Sequence, residues 1–170
     1  MLNYYKNKPL YNSIISGVIY FLFSWSVDFM EITKAPFMVL MFFLPGLTFP
    51  LLTCYLKRDY TNYSNVQFIL HLILSILIYY GSVGLFLEIS SVFGGIMGSL
   101  FFQLETKMLL KKAITWKQII TTCLLSGIGF IPYQFINHYG VSIGIGVLLW
   151  TILNGHLLNN AYKKTEPIVI

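Results

Sequence analysis

Ionisable side chains are scarce in this sequence, and they fall inside or beside long apolar runs, so each invites the question of what it could do there. Glu88 is the sharpest case, because it is the only Asp, Glu, Lys or Arg between Tyr60 and Leu104. A carboxylate inside hydrocarbon costs about 2.5–3.5 kcal/mol on the lenient insertion scale, so it needs a partner, a wet cavity or a short reach to the surface. At helical spacing Glu88 shares one face with Gly84, Ser91, Gly95 and Gly98, and Glu105 continues it. The expectation is that Glu88 points into a bundle, within reach of Tyr79, Asn137, His138 or Lys34, and lines a proton or cation path. The competing reading is a carboxylate that escapes to the outer surface.

Two layers of polar groups gather around that idea. Asp28, Glu31 and Glu88 fall at the outer ends of apolar runs, level with Asn137 and His138. Converging, they would form an acidic vestibule for a cation or an amine; facing apart, they are three solvated carboxylates. An inner layer holds Gln67, His71, Gln103, Glu105, Asn154, His156 and Asn159. Within a membrane His71 can relay protons or bind a polar ligand, or simply sit neutral and hydrogen-bonded to a neighbouring helix. Pro45, Gly46 and Pro50 add a different kind of site. A proline removes a backbone donor and disfavours straight helix, so a broken helix is expected near mid-membrane, of the kind that exposes backbone groups to substrates or ions. A plain kink is the alternative.

The elements that must position these residues follow from composition. Of 170 residues, 56% are hydrophobic and 10% charged, against about 25% charged in a soluble domain. No charged residue occurs in Pro9–Val27, Ala35–Leu56 or Gln118–Tyr162. A stretch of 45 residues, such as the last, would be about 68 Å as one helix, twice the hydrocarbon thickness, so it must fold back. Breakers stand where the reversals are needed, at Gly81-Ser82-Val83-Gly84 and Asn137-His138-Tyr139-Gly140. The expected fold is all-α: a single polytopic membrane helix bundle of six transmembrane helices in three hairpins, over about 12–30, 36–56, 64–80, 85–104, 117–136 and 140–158.

Orientation rests on residues not used to draw those spans. With the N-terminus inside, ten of the 11 Lys and Arg residues fall on inner segments and only Lys34 falls outside. The positive-inside rule therefore places both termini in the cytoplasm and the chain in the plasma (inner) membrane. The basic residues make no clustered patch with interleaved aromatics, so nucleic acid is not an expected partner. Residues 104–118 mix Leu109, Leu110, Ile114 and Trp116 with Lys107, Lys111, Lys112 and Lys117, which suits contact with an anionic membrane surface or docking of a membrane or cytoplasmic protein. Cys54 and Cys123 lie in apolar runs without metal or redox spacing, and neither a metal nor a cofactor is expected.

Catalytic signatures such as His-Glu-x-x-His, Gly-x-Ser-x-Gly or a phosphate loop are absent from the sequence. In size and topology alone the chain resembles the substrate-binding subunits of energy-coupling-factor transporters and the small rod-shape scaffold proteins, and no residue role is carried over from either. The first functional reading is a transporter-like or solute-binding membrane subunit for a small polar or cationic solute. Its candidate pathway residues are Glu88, His71, Asp28, Glu31, Ser91, Tyr79, Asn137, Glu105, Asn154 and His156. The alternative is a non-catalytic partner-binding protein of the toxin-immunity or assembly-scaffold type. An intramembrane enzyme is the third.

Overall fold

A computed structural model describes residues 8–30, 35–54, 64–86 and 89–165. They form six α-helices, α1 (Lys8–Phe29), α2 (Ala35–Cys54), α3 (Asn65–Gly81), α4 (Ser91–Leu109), α5 (Trp116–Gly129) and α6 (Tyr139–Thr165), and no strand occurs among them. Three starts carry clear local signals. Ser64 with Gln67, and Thr115 with Gln118, form reciprocal capping boxes at α3 and α5, while the Ser90 hydroxyl accepts from Phe93 N at α4.

Several boundaries differ from expectation. Gly81–Gly84 does not turn the chain: α3 runs on as a π-helix over Ser82–Phe86, and α4 begins at Ser91 instead of 85. Helix α5 stops at Gly129 and a 3-10 turn follows at Ile131–Gln134 with Pro132 near its start, where one span to 136 was expected. Proline suits the first positions of a helical turn and ends the one before it.

The helices form a closed ring in which each packs on its sequence neighbours and α1 packs on α6 over its full length. Neighbours alternate in direction all the way round. Asn12 and Tyr20 of α1 bond to the carbonyls of Leu52 and Met41 in α2. Phe43 of α2 stacks on Tyr80 of α3, and His71 of α3 meets Thr106 of α4. Gly95 of α4 abuts Phe130, while Lys107 lies over the ring of Trp116 at the start of α5. Gly129 of α5 faces Leu149 of α6, and Asp28 at the end of α1 bonds Val141 at the start of α6. The start of α1 and the ends of α2, α4 and α6 therefore share one end of the bundle. The described lysines Lys8, Lys107, Lys111, Lys112, Lys117, Lys163 and Lys164 all lie at that end.

On α3 and α5 the inward face is polar and the outward face apolar, the reverse of a helix in a water-soluble bundle. On α3 the buried residues are His71, Ser75 and Tyr79, while Ile69, Ile73 and Leu77 face outward. On α5 Thr122 and Ser126 are inside and Ile120, Leu124 and Ile128 outside. Among the described residues three helices are long and apolar enough to cross a membrane: Lys8–Phe29, Asn65–Gly84 and Tyr139–Tyr162.

Helix α2 corrects the broken-helix expectation, for it is α-helical from Ala35 to Cys54 with Pro45 and Pro50 inside it. At Pro45 the physical reason lies on α1. A proline at 45 leaves the Met41 carbonyl without its i+4 donor, and that carbonyl accepts a hydrogen bond from the Tyr20 hydroxyl at 3.0 Å. A neighbouring helix supplies what the proline removed. The Leu52 and Cys54 carbonyls at the end of α2 are satisfied in the same manner, by Asn12 Nδ2 at 2.8 Å and the Tyr162 hydroxyl at 3.1 Å.

The segment after α4 folds against the bundle. Leu110, Lys112 and Ile114 turn inward in alternation, Lys111 adopts φ 47° to make the bend, and Lys112 Nζ sits 3.8 Å from the Tyr162 ring centroid. Of the apolar residues expected to meet the membrane surface there, Trp116 is exposed, whereas Leu110 and Ile114 belong to the core.

Candidate functional site

The inner polar layer is where the structure concentrates chemistry. His71 and Ser75, one turn apart on α3, face Glu105 and Thr106 near the end of α4. His71 Nε2 lies 3.1 Å from Thr106 Oγ1 and 3.9 Å from Glu105 Oε1. The Ser75 hydroxyl lies 3.4 Å from each Glu105 oxygen, a distance at the weak end of hydrogen bonding. All four residues are buried, and the Phe102 ring meets His71 edge to face at 5.9 Å. Two proton-exchanging groups thus face each other inside the bundle with hydroxyls beside them. Such a group can hold or pass a proton or polarise a small cation. Among the described residues no three His, Cys, Asp or Glu side chains come together as a metal site.

A second set ties α4, α5 and α6 together. Gln103 Nε2 donates to Asn154 Oδ1 at 3.0 Å, and Asn154 Nδ2 donates to Ser99 Oγ at 3.0 Å and to the Trp150 carbonyl at 2.9 Å. Ser99 then donates to Ser126 at 2.6 Å. Asn154 is fully buried, so this ladder crosses three helices without water contact. The sequence placed Asn154 and Gln103 in the inner polar layer. Ser99 and Thr106 were missed, because a hydroxyl in an apolar run carries no cue to its partner.

Between the two sets the interior is closed by aromatics. Phe49, Phe102 and Trp150 pack edge to face with centroids 5.1–5.4 Å apart. Beside them Pro45, Gly46, Ser75, Tyr79, Ser82 and Gly98 help line a cavity of about 20 Å³, room for about one water molecule. Ser75 touches both this cavity and Glu105. Tyr79 and Tyr20, both buried, meet edge to face at 6.4 Å on its far side.

The remaining candidates separate. Asp28 Oδ2 accepts from Val141 N at 2.8 Å, so it caps the start of α6, where a negative charge complements the helix dipole. Asn137 and His138 are exposed beyond it. Ser91 is buried at the start of α4, and its hydroxyl makes no hydrogen bond among the described residues. His156 is exposed on α6 and pairs with Asn160 at 3.0 Å, away from the His71 group. Gln67 caps α3. Glu31, Glu88 and Lys34 lie outside the described residues, and with them the acidic vestibule and the inward-pointing Glu88.

Comparison with models of protein families, with curated proteins and with solved structures returned no match in any of the three.

Proposed function

We propose that this chain is an integral membrane protein whose six helices all cross the bilayer, with the ends of α1 and α6 on the basic, cytoplasmic side, and that it serves as a non-catalytic subunit binding another membrane protein. Alternating helix direction around the ring supports an even number of crossings. The lengths support it too: α4 has 19 residues and α5 with its 3-10 turn has 14 and 4. At 1.5 Å per α-helical and 2.0 Å per 3-10 residue, each comes to roughly 28–29 Å, close to the hydrocarbon thickness. A cysteine placed at His138 is expected to react with an impermeant reagent added to intact cells, and one at Thr115 is not; the reverse pattern overturns the topology.

The observation that carries the partner-binding reading is the closed interior. A solute needs a chamber, and ligand pockets run to about 300–1,000 Å³, whereas the central cavity holds one water. Helix α2 runs unbroken past that cavity, so its prolines free no helix end there. Among the described residues the outer surface offers another place for recognition. Gly81 has, among the described residues, nothing near the position of a Cβ, and Gly84 has only the edge of the Tyr80 ring at 4.0 Å, so another helix can approach there closely. Purified from its own membrane in mild detergent, the full chain is expected to carry a stoichiometric membrane protein, and Gly81→Trp is expected to lose it. Recovery of the chain alone, or retention of the partner by Gly81→Trp, overturns this reading.

Passage of a small cation or proton is the second reading, and the His71–Glu105 pair beside the Ser75-lined cavity favours it. Glu105→Gln separates the two. Under the partner-binding reading the variant folds and keeps its partner, and proteoliposomes with either protein show the same background proton or cation flux. A flux present with the natural chain and lost in Glu105→Gln establishes the second reading.

A further inference from the structure

We infer that the groove between α5 and α6 at the basic end of the bundle binds an anionic phospholipid. It is the larger of the two cavities described here, about 360 Å³ against about 20 Å³ in the centre, and it falls within the range of small-molecule sites. Unlike the central cavity it lies on the outer surface, where the bilayer is the solvent. The inference needs only that α5 and α6 lie in a membrane.

The lining changes character along its length in the way a phospholipid does. Lys117, His156 and Asn160 stand at one end, Thr121 follows, and Leu125 and Leu153 lie further along. From Lys117 to Leu125 is eight residues of helix, about 12 Å. Exposed Trp116, immediately before Lys117 and under Lys107, is the residue type that settles at the headgroup level. With Trp116 there, Lys117 meets phosphate and Leu125 meets acyl chain.

The polar end is supplied with donors. Lys117 brings a cation and Asn160 an amide, linked at 3.0 Å to the His156 ring. Gln118 uses its carbonyl oxygen to cap α5 and so keeps its amide hydrogens for another acceptor. Among the described residues no carboxylate lines the groove to repel an anion. Basic pockets between helices on the cytoplasmic side are known sites for anionic headgroups. A zwitterionic lipid would present its own cation to Lys117 and gain less.

Native mass spectrometry of the full chain in detergent, with dioleoyl phosphatidylglycerol or dioleoyl phosphatidylcholine added, tests the site. Phosphatidylglycerol is expected to be retained in preference. Lys117→Gln is expected to cut that preference roughly five-fold, the value of about 1 kcal/mol for one cation near anionic lipid. Lys111→Gln, at the same end but outside the groove, should leave it unchanged, and Leu125→Trp, which fills the apolar part, should weaken both lipids. Equal retention of the two lipids overturns the proposal, as does equal loss in Lys111→Gln and Lys117→Gln. So does displacement by an equal concentration of glycerol phosphate, which would make the ligand a soluble anion. Loss of partner with lipid selectivity intact would instead count against the proposed function alone.

Discussion

The α1–α6 seam and the α3–α4 interface both bury polar residues, but they use them in opposite ways. Along the seam Ser13 meets Gly155, Gly17 meets Leu148 and Thr151, Ser24 donates to the Gly140 carbonyl, and Asp28 caps α6. Each polar group there is spent on backbone or on letting two helices touch. At α3–α4 the groups are ionisable and face one another: His71, Glu105 and two hydroxyls. Close approach without a hydrophobic driving force needs small residues, whereas a buried carboxylate needs company. The first region is built to hold, and the second is where proton or cation chemistry could occur.

The largest expected effect breaks the seam. A Cβ on Gly140 would run into the Ser24 carbonyl and Asp28, and one on Gly155 into Ser13. Overfilling a packed site costs about 1–3 kcal/mol and more where backbone must move. Gly140→Leu and Gly155→Leu should therefore lower the unfolding midpoint in SDS titration sharply. Gly81→Leu, into open space, should stay within about 0.5 kcal/mol of the natural chain. Equal losses at all three positions would mean that the seam is not what holds the ring closed.

That seam also marks how far the sequence could be read. Ser13, Gly17, Tyr20, Ser24 and Asp28 lie on one stripe of α1, because a period near 3.6 separates a packing face from exposed Ile15, Ile19 and Leu22. Which helix the stripe meets was not visible. Three hairpins in sequence order implied α1 on α2 first, whereas α1 packs most extensively on α6, and a small residue looks alike whatever lies opposite it. Asp28 illustrates the same limit, for the sequence left open a vestibule or a solvated helix end, and its acceptor role toward Val141 depends on a contact across 113 residues. Pro132 offered a local cue to the end of α5 that hydropathy masked.

A smaller effect is expected from the ladder that joins the two regions. Asn154 serves Gln103, Ser99 and the Trp150 carbonyl, so Asn154→Leu leaves the Gln103 amide and the Ser99 hydroxyl short of a partner. Hydrogen bonds between membrane helices average about 0.6 kcal/mol and reach about 1.7. A loss of about 1–2 kcal/mol is expected, because more than one bond goes at once. In a cycle with Ser99→Ala the two losses should be less than additive, since they share a bond. Strict additivity would separate the ladder into independent contacts.

The smallest effect asks whether α2 stays helical because α1 supplies a donor. Tyr20→Phe removes the hydroxyl that bonds the Met41 carbonyl, at 3.0 Å in the natural chain, while keeping the ring against Tyr79. That carbonyl lacks an i+4 donor only because residue 45 is proline, so Pro45→Ala restores one from within the helix. Tyr20→Phe should cost about 0.6–1.7 kcal/mol on the natural background, and distinctly less on the Pro45→Ala background, where the carbonyl has its own helix to bond. The coupling is the measurement. Equal costs on both backgrounds would show that the tyrosine hydroxyl does not stand in for the proline's missing donor, and the continuity of α2 through Pro45 would then need another cause.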